Sequence, residues 1–182
     1  MKRGIVALMV TVTMILTSTV NTFAQGSKVN FSGSWTFNAE KSQAVQPAGQ
    51  GQPQGQGQNQ GQRAGGFGGD FVAKQDANLL TVERTRTNRE GVVSTTSSKY
   101  TLDGKESINS TARGDSKSVA TWSSDGKTLT VKTSRTMDMN GESRTMNSTE
   151  VWVLTDTKTL SITTTSATPN GERKSTAVYN KK

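Results

Sequence analysis

Trp122-Ser123-Ser124-Asp125-Gly126-Lys127-Thr128-Leu129-Thr130-Val131 is a hairpin written out in order. Asp-Gly supplies the positive φ that a tight turn between antiparallel strands requires. On its far side Leu129 and Val131 alternate with Thr130 and Lys132, the period of a strand with one face inside. The unit returns as Thr155-Asp156-Thr157-Lys158-Thr159-Leu160-Ser161-Ile162. Asp103-Gly104, Asn140-Gly141 and Pro169-Asn170-Gly171 are turn signals of the same kind, and Asn88 to Gly91 is a looser one.

Between these turns Thr, Ser and Val dominate, which are strand formers or tolerated in strands. No stretch holds a 3.6-residue apolar period for several turns, so helix content should be very low. The predicted strands are 33–38, 70–76, 79–87, 92–102, 105–111, 117–123, 127–136, 143–154, 159–166 and 172–180. Neighbouring strands joined by hairpins make an antiparallel up-and-down meander. A meander this long hides its edges best by closing, so the expected class is all-β, an up-and-down barrel of about 8–10 strands. A transmembrane barrel would need a continuous apolar outer band with aromatic girdles. Here both faces of most strands carry Thr, Ser, Lys or Arg, which excludes it.

Composition narrows the chemistry. The chain has 182 residues, no cysteine, no histidine, 30% hydrophobic residues and a formal charge of +8. Without Cys there is no disulfide, thiolate nucleophile or thiolate metal site. Without His there is no Ser/His/Asp triad and no imidazole ligand. A non-enzymatic protein needing no cofactor and no metal is expected. The positive charges are scattered among carboxylates with no basic-aromatic run, so specific nucleic-acid binding is not expected.

Met1-Lys2-Arg3, the mostly apolar Ile5 to Leu16 and the small-residue pattern Thr22-Phe23-Ala24 read as a signal peptide over 1–24, cleaved near Ala24. The apolar run is short and Thr-rich for a bilayer core of about 30 Å. Export to the periplasm or exterior follows, with no transmembrane segment after cleavage, and 25–182 forms a single domain. Residues 44–69 are Gly/Gln-rich low complexity, expected as a disordered insert after the first strand.

Phe31-Ser32-Gly33-Ser34-Trp35 opens the first strand, and this Gly-x-Trp start resembles that of the calycin superfamily, the lipocalins and fatty-acid-binding proteins. Gly33 would let the strand bend, and Trp35 would plug one end of a barrel. Tyr100-Thr101-Leu102-Asp103-Gly104-Lys105, Trp122 to Gly126 and the ending Val178-Tyr179-Asn180-Lys181 are similar to the later hairpins and final Tyr-x-Lys strand of the fatty-acid-binding branch. Residues 33–42 resemble the start of small exported bacterial lipocalin-like proteins. The resemblance implies a barrel that binds a small apolar or amphipathic ligand. It has two departures: those relatives hold the ligand carboxylate with an Arg two residues before the final Tyr, where this chain has Ala177, and the usual second lipocalin motif is not visible.

Alternation puts Arg84 and Arg86 on the face of Leu80 and Val82, and Arg135 on the face of Leu129 and Val131. Either these guanidiniums form an anion-holding wall or the strand ends emerge and leave them in solvent. Arg84, Arg86, Arg135, Tyr100, Trp122 and Trp152 are the candidate ligand-binding residues. The aromatics among them serve equally as core. Arg113-Gly114-Asp115 is read as a hairpin turn rather than an adhesion tripeptide. Asn30-Phe31-Ser32, Asn109-Ser110-Thr111 and Asn147-Ser148-Thr149 match a glycosylation pattern that a Ser/Thr-rich chain meets by chance. Asp138, Asn140 and Glu142 lack the rest of a calcium loop. Two functions remain open: a container for a small, amphipathic, even anionic ligand, or a non-catalytic structural or interaction module of the bacterial envelope working through the Gly/Gln loop or an outer face. The sequence leaves the oligomeric state open.

Overall fold

The computed structural model describes residues 27–47, 69–87, 91–111, 114–139, 142–168 and 171–182. The expected leader 1–24 and most of the insert, 48–68, lie outside the described residues. Ten strands follow in chain order: β1 (Gly33–Pro47), β2 (Phe71–Gln75), β3 (Leu79–Thr87), β4 (Val93–Thr101), β5 (Glu106–Thr111), β6 (Gly114–Trp122), β7 (Thr128–Met139), β8 (Glu142–Asp156), β9 (Thr159–Thr168) and β10 (Gly171–Lys181). Each predicted strand is present and all are antiparallel. The sheet order is β4-β3-β2-β1-β10-β9-β8-β7-β6-β5. The last strand therefore meets the first, with Phe37 opposite Tyr179 and Trp35 opposite Lys181.

The two ends of that order, β4 and β5, are consecutive in the chain and are stitched by side chains. The Lys99 N–H donates to Asn109 Oδ1 at 2.7 Å, and Asn109 Nδ2 donates back to the Lys99 carbonyl at 2.9 Å. A side-chain amide thus occupies the place of a peptide group in the ladder. Below it the Thr101 N–H donates to Ser107 Oγ at 2.8 Å. The barrel is nearly closed, with this polar seam where a backbone ladder is missing.

β1 overruns its predicted end. Residues 44–47, expected in the disordered insert, continue the strand, and Gln46 and Pro47 pair with Lys174 and Arg173. The register shifts between Asn38 and Gln43 and again before Gln46. Asn38 holds the first irregularity, accepting the Lys41 N–H on Oδ1 and the Ser42 hydroxyl on its carbonyl. Local composition misses this extension because its stabilising partner, β10, lies far along the chain. β6 likewise begins at Gly114, closing a hairpin with Thr111, rather than at 117.

The lower ends of the strands carry the apolar filling. Phe31, Trp35, Leu80, Leu129, Trp152, Leu160 and Tyr179 are all 0–1% exposed. Rings run across the floor in sequence: Trp122 stacks on Phe31 at 5.7 Å, Phe31 meets the edge of Trp152 at 5.7 Å, Trp152 meets Phe71 at 5.8 Å, and Phe71 meets Tyr179 at 4.8 Å. Edge-to-face pairs of this kind contribute about 0.5–1.5 kcal/mol each beyond area burial. Trp35 closes the end, donating its indole N–H to the Phe31 carbonyl at 2.9 Å. Gly33 has φ +150°, and a Cβ there would lie 2.6 Å from Lys181 Cε. The missing side chain lets the Lys181 stem cross, placing its ammonium 5.6 Å from the Trp35 ring centre.

Candidate functional site

Above the aromatic floor the inward face changes character. Register fixes which residues share it: Leu80 with Tyr100, Val82 with Ser98 and Arg84 with Thr96 on β3–β4. On β6–β7, Ala120 lies opposite Val131, Ser118 opposite Thr133 and Ser116 opposite Arg135. On β8–β9, Trp152 lies opposite Ile162 and Glu150 opposite Thr164. Bulky apolar groups thus give way to short hydroxylated ones interrupted by Arg and Glu. Ser116, Ser118 and Thr164 are buried at 2–4% exposure. Two of them are satisfied locally: Ser116 donates to the Asn109 carbonyl, and Ser118 and Thr133 share a hydroxyl pair at 2.9 Å.

Arg84 and Arg135 are half-buried on this face. The Arg84 guanidinium lies 4.8 Å from the Phe71 ring centre and opposes the rise that burial gives the Tyr179 hydroxyl. A cation on a ring face is attracted to the π cloud, more so when water is excluded. Arg84 and Phe71 are directly opposite across β2 and β3, so the strand register itself imposes the contact. Among the described residues no carboxylate comes within 4.0 Å of Arg84 or Arg135. Glu83, by contrast, faces outward and meets Lys74.

Glu150 provides the negative charge of this region. Its Oε2 accepts the Trp152 indole N–H at 2.9 Å. Burial pushes the Tyr100 hydroxyl up to about 12, and Glu150 adds to the rise while Arg84, Ser98 and Arg135 oppose it. Burial also raises Tyr179, with Arg84 opposing. Both phenols are therefore neutral donors at physiological pH.

The structure brings Arg84, Arg135 and Tyr100 into one electrostatic cluster with Glu150, and sets Trp152 beneath Glu150. Arg86 shares the inward face nearer the mouth and is exposed. Trp122 stands apart at the floor, stacked on Phe31 with the Lys28 ammonium 5.8 Å from its ring. Its indole N–H is buried and has no hydrogen-bond partner among the described residues. Gly33 and Trp35 occupy the closed end. Sequence reasoning missed Glu150. The signal for Glu150 was its spacing from Trp152, which puts both on one face of a strand.

The ten-strand antiparallel meander, closed by β1 against β10 over a Gly-x-Trp plug, settles the architecture. The fold is a nearly closed, ten-stranded antiparallel β-barrel. No family model matches the chain, and no curated protein matches it. Among solved structures, the zebrafish ileal bile acid-binding protein complexed with cholic acid is similar, with a TM-score of 0.42 and 17% identity over 62% of this chain and 72% of that chain. In this barrel, Ala177 is buried opposite Ile162.

Proposed function

We propose that this protein is a non-catalytic container that takes a small amphipathic anion into the barrel. Its head group is held by Arg84 and Arg135, with Tyr100 and Tyr179 as neutral donors, and its apolar part lies on the aromatic floor. One observation carries the reading: Arg84 is held inward on Phe71 at 4.8 Å, with no carboxylate in ion-pairing range of it or of Arg135 among the described residues. A partly desolvated guanidinium without a counter-charge is costly, and an anion offering forked acceptors offsets that cost. The basic start, apolar run and small-residue site at 1–24 support work outside the cytoplasm.

Native mass spectrometry and lipid extraction of the purified protein test for a resident guest. Titration with dodecanoate, followed by tryptophan fluorescence, tests the site directly. Arg84→Met combined with Arg135→Met is expected to weaken dodecanoate binding about tenfold or more and to leave binding of neutral dodecanol nearly unchanged. Absence of any co-purified guest together with no response to dodecanoate overturns the reading.

A further inference from the structure

The Glu150 carboxylate is an acceptor that a purely anionic guest leaves unsatisfied and repels. Oε2 is engaged by Trp152, whereas Oε1 makes no hydrogen bond to any described residue. Glu150 is half-buried, and its cross-strand neighbours on the inward face are Val131 and Thr164. It also lacks a cation within 4.0 Å among the described residues.

Its position relative to Arg84 follows from the rings below. Arg84 stands on Phe71, Glu150 stands over Trp152, and Phe71 and Trp152 touch edge-to-face at 5.8 Å. Opposite charges therefore cap adjacent members of one aromatic layer without collapsing onto each other. Trp152 restrains the carboxylate, and Phe71 restrains the guanidinium. Such a pair, held apart at the border of an apolar floor, is complementary to a head group with both an acceptor and a donor.

We infer that the head-group site selects an amphiphile whose anion lies a few bonds from a hydroxyl or ammonium donor, the anion meeting Arg84 and the donor meeting Glu150 Oε1. This rests on the container reading and narrows its ligand class. A bare alkyl anion meets Arg84 but leaves Glu150 unpaired and repulsive. A hydroxy or amino acid of the same chain length answers both groups at once.

The test is calorimetric titration of the purified protein with dodecanoate, 3-hydroxydodecanoate and 3-aminododecanoate. At least one substituted acid is expected to bind about tenfold more tightly than dodecanoate, the worth of one added charge-assisted hydrogen bond. The hydroxy and amino arms identify which donor is preferred. In Glu150→Gln, where Trp152 keeps an acceptor and the amide turns a donor toward the guest, that advantage should shrink to about twofold. If dodecanoate binds as well as both substituted acids, this inference falls while the container stands. If none of the three binds, both fall. Should Glu150→Gln not fold, the comparison of the three acids on the unaltered protein still decides.

Discussion

Trp152 donates its indole N–H to Glu150 across a single intervening residue of the same strand, at 2.9 Å, while the N–H of Trp122 at the other side of the floor is buried with no partner among the described residues. These two tryptophans share a sheet, an aromatic neighbour in Phe31 and a cross-strand partner in Leu129, yet differ in polar satisfaction. Trp152→Phe removes a hydrogen bond to a charged group and is expected to destabilise the fold by about 2 kcal/mol. Trp122→Phe removes an unsatisfied donor, so its loss of ring area is partly offset and the net change should stay under about 1 kcal/mol. Urea unfolding of the two variants checks the order. A larger loss for Trp122→Phe would contradict it.

The chain has 2 tyrosines, Tyr100 and Tyr179, and burial raises both. Ultraviolet absorbance titration of the folded protein should therefore show each phenol less than half ionised at pH 10, with Tyr100 ionising near 12. The linkage sign follows. A phenol whose folded pKa lies above its unfolded value, about 10, contributes stability below that pH and loses it as pH rises through the folded value. In Glu150→Gln the Tyr100 ionisation should move down, because a charge that raises it is gone. A half-ionised tyrosine population at pH 10 in the folded state would refute the placement of either ring.

Three turns use one device on exposed carboxylates. Asp103 accepts the Lys105 N–H, Asp125 the Lys127 N–H and Asp156 the Lys158 N–H. The Lys105 backbone hydrogen bond holds Asp103 at about 2. Asp125 is lowered chiefly by the Ser123 hydroxyl, and Asp156 by the Lys158 N–H. Depressed carboxyls contribute stability above the unfolded value, about 3.9, and lose it as pH falls through their folded values. The urea midpoint should fall between pH 4 and pH 2. It should fall less steeply when all three are changed to Asn, which keeps an acceptor but not the charge. An equally steep fall would show that these turns do not carry the acid response.

The seam between β4 and β5 depends on one side-chain amide. Asn109→Ala frees both backbone groups of Lys99, which then open to water. Amide exchange at Lys99 should accelerate about tenfold or more, while Val82 in the neighbouring β3 keeps its rate, because local opening does not require global unfolding. Asn109→Asp retains the acceptor for the Lys99 N–H and loses the donor, so its effect should be intermediate. Uniform acceleration across β3 and β4 would mean that the seam controls the whole barrel.

Much of this barrel was legible in the chain because its information is local. Asp125-Gly126 sets a turn through backbone φ, and the alternation of Leu129 and Val131 with Thr130 and Lys132 sets the face of a strand. Alternation also put Arg84, Arg86 and Arg135 on the same face as their apolar neighbours, as the register has them. What escaped reading was non-local. Residues 44–47 look like solvated low complexity until β10 is laid beside them. Glu150 looks like any surface carboxylate until Trp152 is seen to hold it.

Sequence alone determined the ten strands, their turns and the side on which each residue falls, since those depend on dihedral preferences and a two-residue period. Tertiary structure alone decided which strands meet at the seam, that Arg84 rests on Phe71, and that Glu150 stands near it without pairing. Those facts depend on shear between strands distant in the chain, where a shift of one residue would turn every one of these side chains to the other face.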